Sequence, residues 1–326
     1  MPTTAAERAR AAAPAAAFVV AILGLLGGQA PAAAPGRTLA VTIDDLPATP
    51  SSDLAEMGRI TDGLLSVLRR HEVAAVAFVN EIKLEPQAER AGRTALLRAW
   101  LEAGHDLGNH TYSHPDLQTT PLAEFQQDVL KGEAARRELL AARGRKPAWF
   151  RHPFTHTGPT REVREGFERF LAEHGYKIAP FSIENADYIF ESARQAAVGR
   201  NDPAEAARLC ATYVDYSLAV TAQMEGLARD TFGREIPQVL LIHANRLNVE
   251  ALDEMLSRLH KRGYRFVPLE AALDDAAWQT PDLWVEARGP SWLYRFRVAK
   301  GLPLRLEGEP DPPAWVLERY RAAQAR

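Results

Sequence analysis

Leu39-Ala-Val-Thr-Ile-Asp-Asp-Leu-Pro47 is an aliphatic run that ends in two adjacent carboxylates and a proline. Its apolar part reads as a buried strand, and the proline marks where that strand stops. Side chains of consecutive strand residues leave opposite faces, so Asp44 and Asp45 diverge, and one can bind a metal while the other faces water or substrate. An Asp-Asp pair before proline also makes an ordinary strand-ending turn, so a site there needs corroboration elsewhere.

Outward from this run, short apolar stretches alternate with longer amphipathic ones, the pattern of βα units around a largely parallel sheet. Strands are expected at Leu39–Ile43, Val73–Val79, Asp106–Gly108, Ala148–Arg151, Tyr176–Ala179, Val239–Ile242 and Tyr264–Val267. Helices fill the gaps. Ser51 or Ser52 is expected to cap the first, Thr120-Pro121 to open one running to Ala142, and Gly158-Pro159 to open one ending at His174. Asp202-Pro203 starts a long helical insert ending near Gly233. The chain shows no internal repeat of fixed period.

The 326 residues suit one α/β barrel of roughly 250 residues with additions at both ends. With 25% charged residues, a net charge of -3 and no long basic tract, nucleic acid is not expected as a partner. Cys210 is the single cysteine, which excludes an intramolecular disulfide and any zinc site built from paired thiolates. A metal must therefore sit on His, Asp or Glu. Arg8 and Arg10 precede an apolar run from Ala11 to Leu26 and the small-residue stretch Gln29-Ala-Pro-Ala-Ala-Ala34, the order of a secretory signal. Residues 1–34 are read as a signal peptide or N-terminal anchor, which places the rest in the periplasm or outside the cell, with membrane contact only if that segment is retained. Residues 37–276 are read as the catalytic barrel, and 277–326, rich in Trp, Pro and Arg, as a short C-terminal extension packed on it.

Four further islands corroborate the paired aspartates. In Gly108-Asn-His-Thr-Tyr-Ser-His-Pro115, His110 and His114 are spaced i, i+4, which on a helical turn puts both imidazoles on one face. With Asp45 they make a two-His, one-carboxylate set suited to a divalent ion, zinc first, with cobalt, nickel or iron also compatible, and with positions left open for water and substrate. Trp149-Phe-Arg-His-Pro-Phe-Thr-His-Thr-Gly158 supplies Arg151, permanently cationic and able to hold a carboxylate ionised, and a turn in which the Phe154 N–H can face an oxyanion. Ser182-Ile-Glu-Asn-Ala-Asp-Tyr188 and Val239-Leu-Leu-Ile-His-Ala-Asn245 bring Asp187 and His243, a histidine at the end of a very apolar strand that needs a partner.

In this order the five islands resemble the motifs of the polysaccharide deacetylases, the NodB-homology family, across roughly Thr38 to Leu269. The resemblance implies a distorted (β/α) barrel and hydrolysis of acetyl groups on a polysaccharide or oligosaccharide. It implies Asp44 as base, Asp45, His110 and His114 as metal ligands, Arg151 as the group steadying Asp44, and His243, tuned by Asp187, as acid. Leu241 would wall the acetyl methyl, and Phe154 and Tyr188 would contact substrate. Departures occur at Glu184-Asn-Ala-Asp-Tyr188, where the aromatic is Tyr, and at Thr155, where glycine is common. His156, Tyr188 and the 202–233 insert are therefore expected to shape the groove. Two other readings stand beside this one: hydrolysis of a non-sugar amide or an O-acetyl ester on the same site, and a non-catalytic envelope- or glycan-binding protein.

Overall fold

A computed structural model describes residues 37–325 apart from Pro86 and Glu307; the leader expected at residues 1–34 lies outside them. The elements run β1 (Thr38–Leu46), α1 (Leu54–Arg70), β2 (Val76–Val79), α2 (Arg90–Glu102), β3 (Asp106–Asn109), α3 (Leu122–Lys131), α4 (Ala134–Ala141), β4 (Trp149–Phe150), α5 (Arg161–Glu173), β5 (Lys177–Ile178), β6 (Ile183–Glu184), α6 (Asp187–Gly199), α7 (Pro203–Phe232), β7 (Gln238–His243), α8 (Arg246–Lys261), β8 (Arg265–Phe266), α9 (Leu269–Leu273), α10 (Trp292–Ala299) and α11 (Ala314–Gln324).

All strand pairs are parallel, in the order β5-β4-β3-β2-β1-β7-β6. β1 lies at the centre and is buried along nearly its whole length. It pairs with β7 from Leu39 to Asp44, with β2 from Thr42 onward, and with β8 at Thr38 and Leu39, before β2 begins. The sheet must roll up. Its outermost strands, β5 and β6, are consecutive in the chain, and the five Cα steps from Ile178 to Ile183 span at most about 18 Å. Six strand spacings laid flat would put them roughly 29 Å apart. The result is a distorted barrel left open between β5 and β6, which do not pair.

Several local expectations change. The first helix is capped by Asp53, whose Oδ1 accepts the Glu56 N–H at 2.8 Å, while Ser51 supports Asp53 instead. The segment expected as one helix from Thr120 to Ala142 is two, α3 and α4, because buried Glu81 accepts the N–H groups of Ala135 and Arg136 and so caps a fresh helix there. Gly132, between them, touches the Thr111–Tyr112 backbone so closely that a Cβ would lie 2.6 Å from it. α5 begins at Arg161 on a Thr160 cap, two residues beyond the expected proline. The insert starts and stops as expected, with Asp202 capping α7 and Gly233 ending it at φ 72°. β6 was not foreseen; at two residues it is too short to show a period.

Gly36–Arg326 forms one compact unit. Trp292, Leu293, Tyr294 and Phe296 of α10 and Val316 of α11 belong to the same buried cluster as β1 and β7. Trp292 packs edge-on against Phe181 at 5.2 Å, in the connection between β5 and β6, so the C-terminal segment lies beside the opening of the barrel.

Candidate active site

Every island found in the sequence arrives at the C-terminal ends of the strands. Asp44 and Asp45 end β1, His110 follows β3, Arg151 follows β4, Glu184 ends β6 and His243 ends β7. All of these except the fully buried Arg151 border one cleft of about 780 Å³, also lined by Phe154, Tyr188 and Leu241, within the range of small-ligand sites.

The histidine pair does not meet on a helical turn. Thr111 and His114 take φ values of 68° and 61°, and an irregular loop bends both rings together, their centroids 4.8 Å apart. Side chains hold this loop: Asn109 Oδ1 accepts the Thr111 N–H, Thr111 Oγ1 accepts the His114 N–H, and Asp128 Oδ1 accepts those of Tyr112 and Ser113. The i, i+4 spacing does not act through a helical face here; the close approach of the rings comes from backbone reversal.

Asp45, itself at φ 73°, places Oδ1 3.9 Å from both His110 Nε2 and His114 Nε2. Ligand atoms about 2.1 Å from a common ion are separated by about 3.4 Å on a tetrahedron and about 4.2 Å when opposed. The 3.9 Å gaps therefore fit one ion between these three groups, whose ligand atoms all lie within 4.8 Å of one another. Protonation fits as well. His110 Nδ1 lies 2.8 Å from the Arg151 carbonyl, which can only accept, so Nδ1 carries the proton and Nε2 offers its lone pair. Burial pushes His110 and His114 down to about 4, leaving both rings neutral near neutrality. Burial would raise Asp45, but Lys83, His243 and the two imidazoles outweigh it and hold the carboxyl well below its usual range.

Asp44 lies on the other side of this set, its Oδ2 3.8 Å from His110 Nε2 and 3.6 Å from Arg151 Nη1. Its Oδ1 is buried with no partner among the described residues, an acceptor at the cleft. Burial raises its pKa, and the Arg151 charge offsets this only in part. Arg151 is fully buried between the rings of Phe78 and Phe181, at 5.0 and 5.6 Å, and donates to Thr42 Oγ1 at 2.8 Å. Its charge is thus fixed inside the barrel by aromatic faces and one hydroxyl.

His243 Nδ1 lies 2.7 Å from Asp187 Oδ1, while Asp187 Oδ2 accepts from the His243 N–H, Asn245 and Asn248. Burial alone would strip the ring of its proton. The Asp187 carboxylate, with Asp45 and Asp44 beyond it, reverses this and carries His243 up to about 10.

Three things escaped the sequence. Lys83 donates to the Asp45 carbonyl at 3.0 Å, with Nζ 3.5 Å from Asp45 Oδ1. Asn80 donates to the His110 carbonyl at 2.5 Å. Both follow β2 at the active edge, and their position after a strand was the available signal. Third, the groove wall expected from the 202–233 insert is supplied by α6 and α11, through Ser192, Gln195, Tyr320 and Gln324; no residue of α7 lines it. α7 packs behind α6 instead: Tyr213, fully buried, lies 5.4 Å from Phe190 of α6.

A parallel barrel with a two-His, one-carboxylate cluster, a second carboxylate and a charged histidine at its C-terminal edge defines a hydrolase-type site. The comparisons narrow this. The polysaccharide deacetylase family model matches residues 32–186. A peptidoglycan-N-acetylglucosamine deacetylase of Bacillus cereus is 25% identical over 237 residues, 71% of this chain and 66% of that protein. Its counterpart in Listeria monocytogenes is 24% identical, over 74% of this chain and 40% of that protein. A chitin deacetylase of Colletotrichum lindemuthianum is 25% identical, over 76% and 83%. The chain is therefore similar to polysaccharide deacetylases, and it spans less than two thirds of the two bacterial relatives.

Proposed function

We propose that this protein removes N-acetyl groups from an extracellular polysaccharide or oligosaccharide, releasing acetate, with a divalent ion held by Asp45, His110 and His114. One observation carries the reading: the unpartnered Asp44 Oδ1 shares one cleft with the candidate ligand set and with a histidine whose proton is held by Asp187. Once bound, an ion such as zinc supplies a Lewis acid for the acetyl carbonyl and acidifies water. Asp44, steadied by Arg151, takes the proton of the attacking water. Leu241 borders the space for the acetyl methyl, and Phe154, its ring 4.5 Å from that of His114, closes the metal end. His243 then gives its proton to the departing nitrogen, which an amide requires and an activated ester does not. The leader-like composition of residues 1–34 supports placing this activity in the periplasm or outside the cell.

The test incubates purified protein with chitooligosaccharides, peptidoglycan fragments and acetylated xylan and measures acetate, with and without a chelator and added zinc. Chelator-sensitive release from an N-acetylated glycan is expected. Release from acetylated xylan alone would move the assignment to ester hydrolysis, and no release from any substrate would refute catalysis.

A further inference from the structure

The cleft is larger than the chemistry needs, and its far end is built from residues that the family match at 32–186 does not reach. Tyr188, Ser192 and Gln195 come from one face of α6, and Tyr320 and Gln324 from α11. α11 is firmly seated. Val316 is fully buried, Arg208 of α7 lies 4.2 Å above the Trp315 ring, and Arg319 pairs with Glu205 at 2.9 Å. Across the cleft end, the Tyr188 and Tyr320 rings meet edge-on at 6.2 Å, and Gln324 donates to Ser192 Oγ at 3.2 Å. Tyr188 remains 53% exposed, its ring free to receive a ligand face.

The chemistry of this end is specific. Hydroxyls, amides and aromatic faces are what a sugar ring engages through its own hydroxyls and its apolar side. Charge is equally informative. Among the described residues lining the cleft none is Lys or Arg, whereas Asp44, Asp45, Glu184 and Glu191 all contribute carboxylates. Glu191 is paired with Arg194 at 2.8 Å, which leaves that end close to neutral, with no Lys or Arg among the described residues lining it to receive an acid. A ligand carboxylate there would be desolvated without a cationic partner.

Resting on the deacetylase reading above, we propose that α6 and α11 form a subsite for an uncharged sugar unit flanking the reacting one. The C-terminal helix thereby selects neutral N-acetylated chains over chains whose neighbouring sugar carries a carboxylate, as N-acetylmuramic acid does.

The experiment compares wild type, Tyr320→Ala, Gln324→Ala and Gln195→Arg on chitotetraose and on a tetrasaccharide alternating N-acetylglucosamine with N-acetylmuramic acid. Exposed Arg321, on the same helix but outside the cleft, provides the control substitution Arg321→Ala, and circular dichroism verifies folding of each variant. Tyr320→Ala and Gln324→Ala should each raise KM for chitotetraose about tenfold, the loss of one good contact, with kcat nearly constant. Wild type should prefer chitotetraose by at least about tenfold, and Gln195→Arg should narrow that preference by supplying the missing cation. Unchanged KM in both alanine variants, or equal use of the two glycans by wild type, would overturn the subsite while leaving the deacetylase reading intact. Should wild type release no acetate at all, that reading falls and the subsite is still decided by calorimetry. Weaker chitotetraose binding in Tyr320→Ala than in wild type supports it; equal binding, or none in either, overturns it.

Discussion

The two neighbouring aspartates differ because of what surrounds them, and this gives them separable phenotypes. Asp45 faces two neutral imidazoles and Lys83, whereas Asp44 faces Arg151 and the open cleft. We expect His110→Ala and His114→Ala each to lose metal and activity together, since three-ligand sites rarely keep an ion after losing an imidazole. Asp44→Asn should retain metal, measured by elemental analysis, and lose about 10²-fold or more in kcat. Metal loss in that variant would reverse the two roles. pH dependence follows from the same groups. The working form has Asp44 ionised and His243 protonated, so the rate should rise as pH climbs through the raised pKa of Asp44 and fall as it passes about 10. Asp187→Asn removes the charge that retains the His243 proton, so the basic limb should move to lower pH. An unmoved limb would mean that His243 does not set it. The sign for stability agrees. With an unfolded-chain value of about 6.5, the His243–Asp187 pair stabilises the fold fully below that pH and loses its contribution as pH rises through about 10.

At the level of elements, the turn after β4 depends on a helix far along the chain. Phe154 and Thr155 both adopt left-handed backbone, at φ 55° and 60°, where each non-glycine residue costs roughly 1–2 kcal/mol. Arg295 of α10, fully buried, donates to the Thr155 carbonyl at 2.7 Å, to Thr157 at 3.2 Å, to Asp282 at 2.8 Å and to the Pro290 carbonyl at 3.0 Å. The Thr155 hydroxyl donates to the Gly289 carbonyl at 2.6 Å. Glycine at 155 would relieve the strain but forgo that bond, which accounts for the departure seen in the sequence. Arg295→Met should destabilise the protein by about 3 kcal/mol in chemical denaturation, because it strands a partly buried carboxylate and two carbonyls. Activity should fall further than stability, since the released turn carries Phe154 at the metal end. An Arg295→Met protein of wild-type stability would show that the brace is incidental.

For the whole molecule, the question is whether the boundary expected at residue 277 separates a self-sufficient barrel from an appendage. Trp292, Leu293 and Phe296 are at most 5% exposed and lie in the main core. Burial of such side chains contributes about 1.5–3 kcal/mol each, which for three approaches the 5–15 kcal/mol of a typical domain. We therefore expect a 37–276 fragment not to fold cooperatively, as judged by its thermal transition, whereas 37–326 should. A fragment melting like the longer chain would restore the appendage.

By itself the sequence determined the features whose cause is local. The order of strands and helices followed from hydrophobic period, the limits of α7 from an Asp cap and a C-terminal glycine, and the metal-type donor set from residue chemistry and the absence of paired cysteines. It also placed Asp44, His110, Arg151 and His243 at strand ends, which suffices to bring them to one edge once the sheet is parallel. Tertiary structure decided what depends on residues distant in the chain. The barrel stays open because β5 and β6 do not pair, the histidines meet through a loop tied by Asp128 rather than on a helical turn, and Lys83 reaches Asp45 from another strand end. The wall of the cleft went to α11 rather than to the long insert, because burial of Val316 and stacking of Trp315 on Arg208 fix where that helix lies. Such contacts have no sequence period, since the residues that make them become neighbours only when the chain has folded.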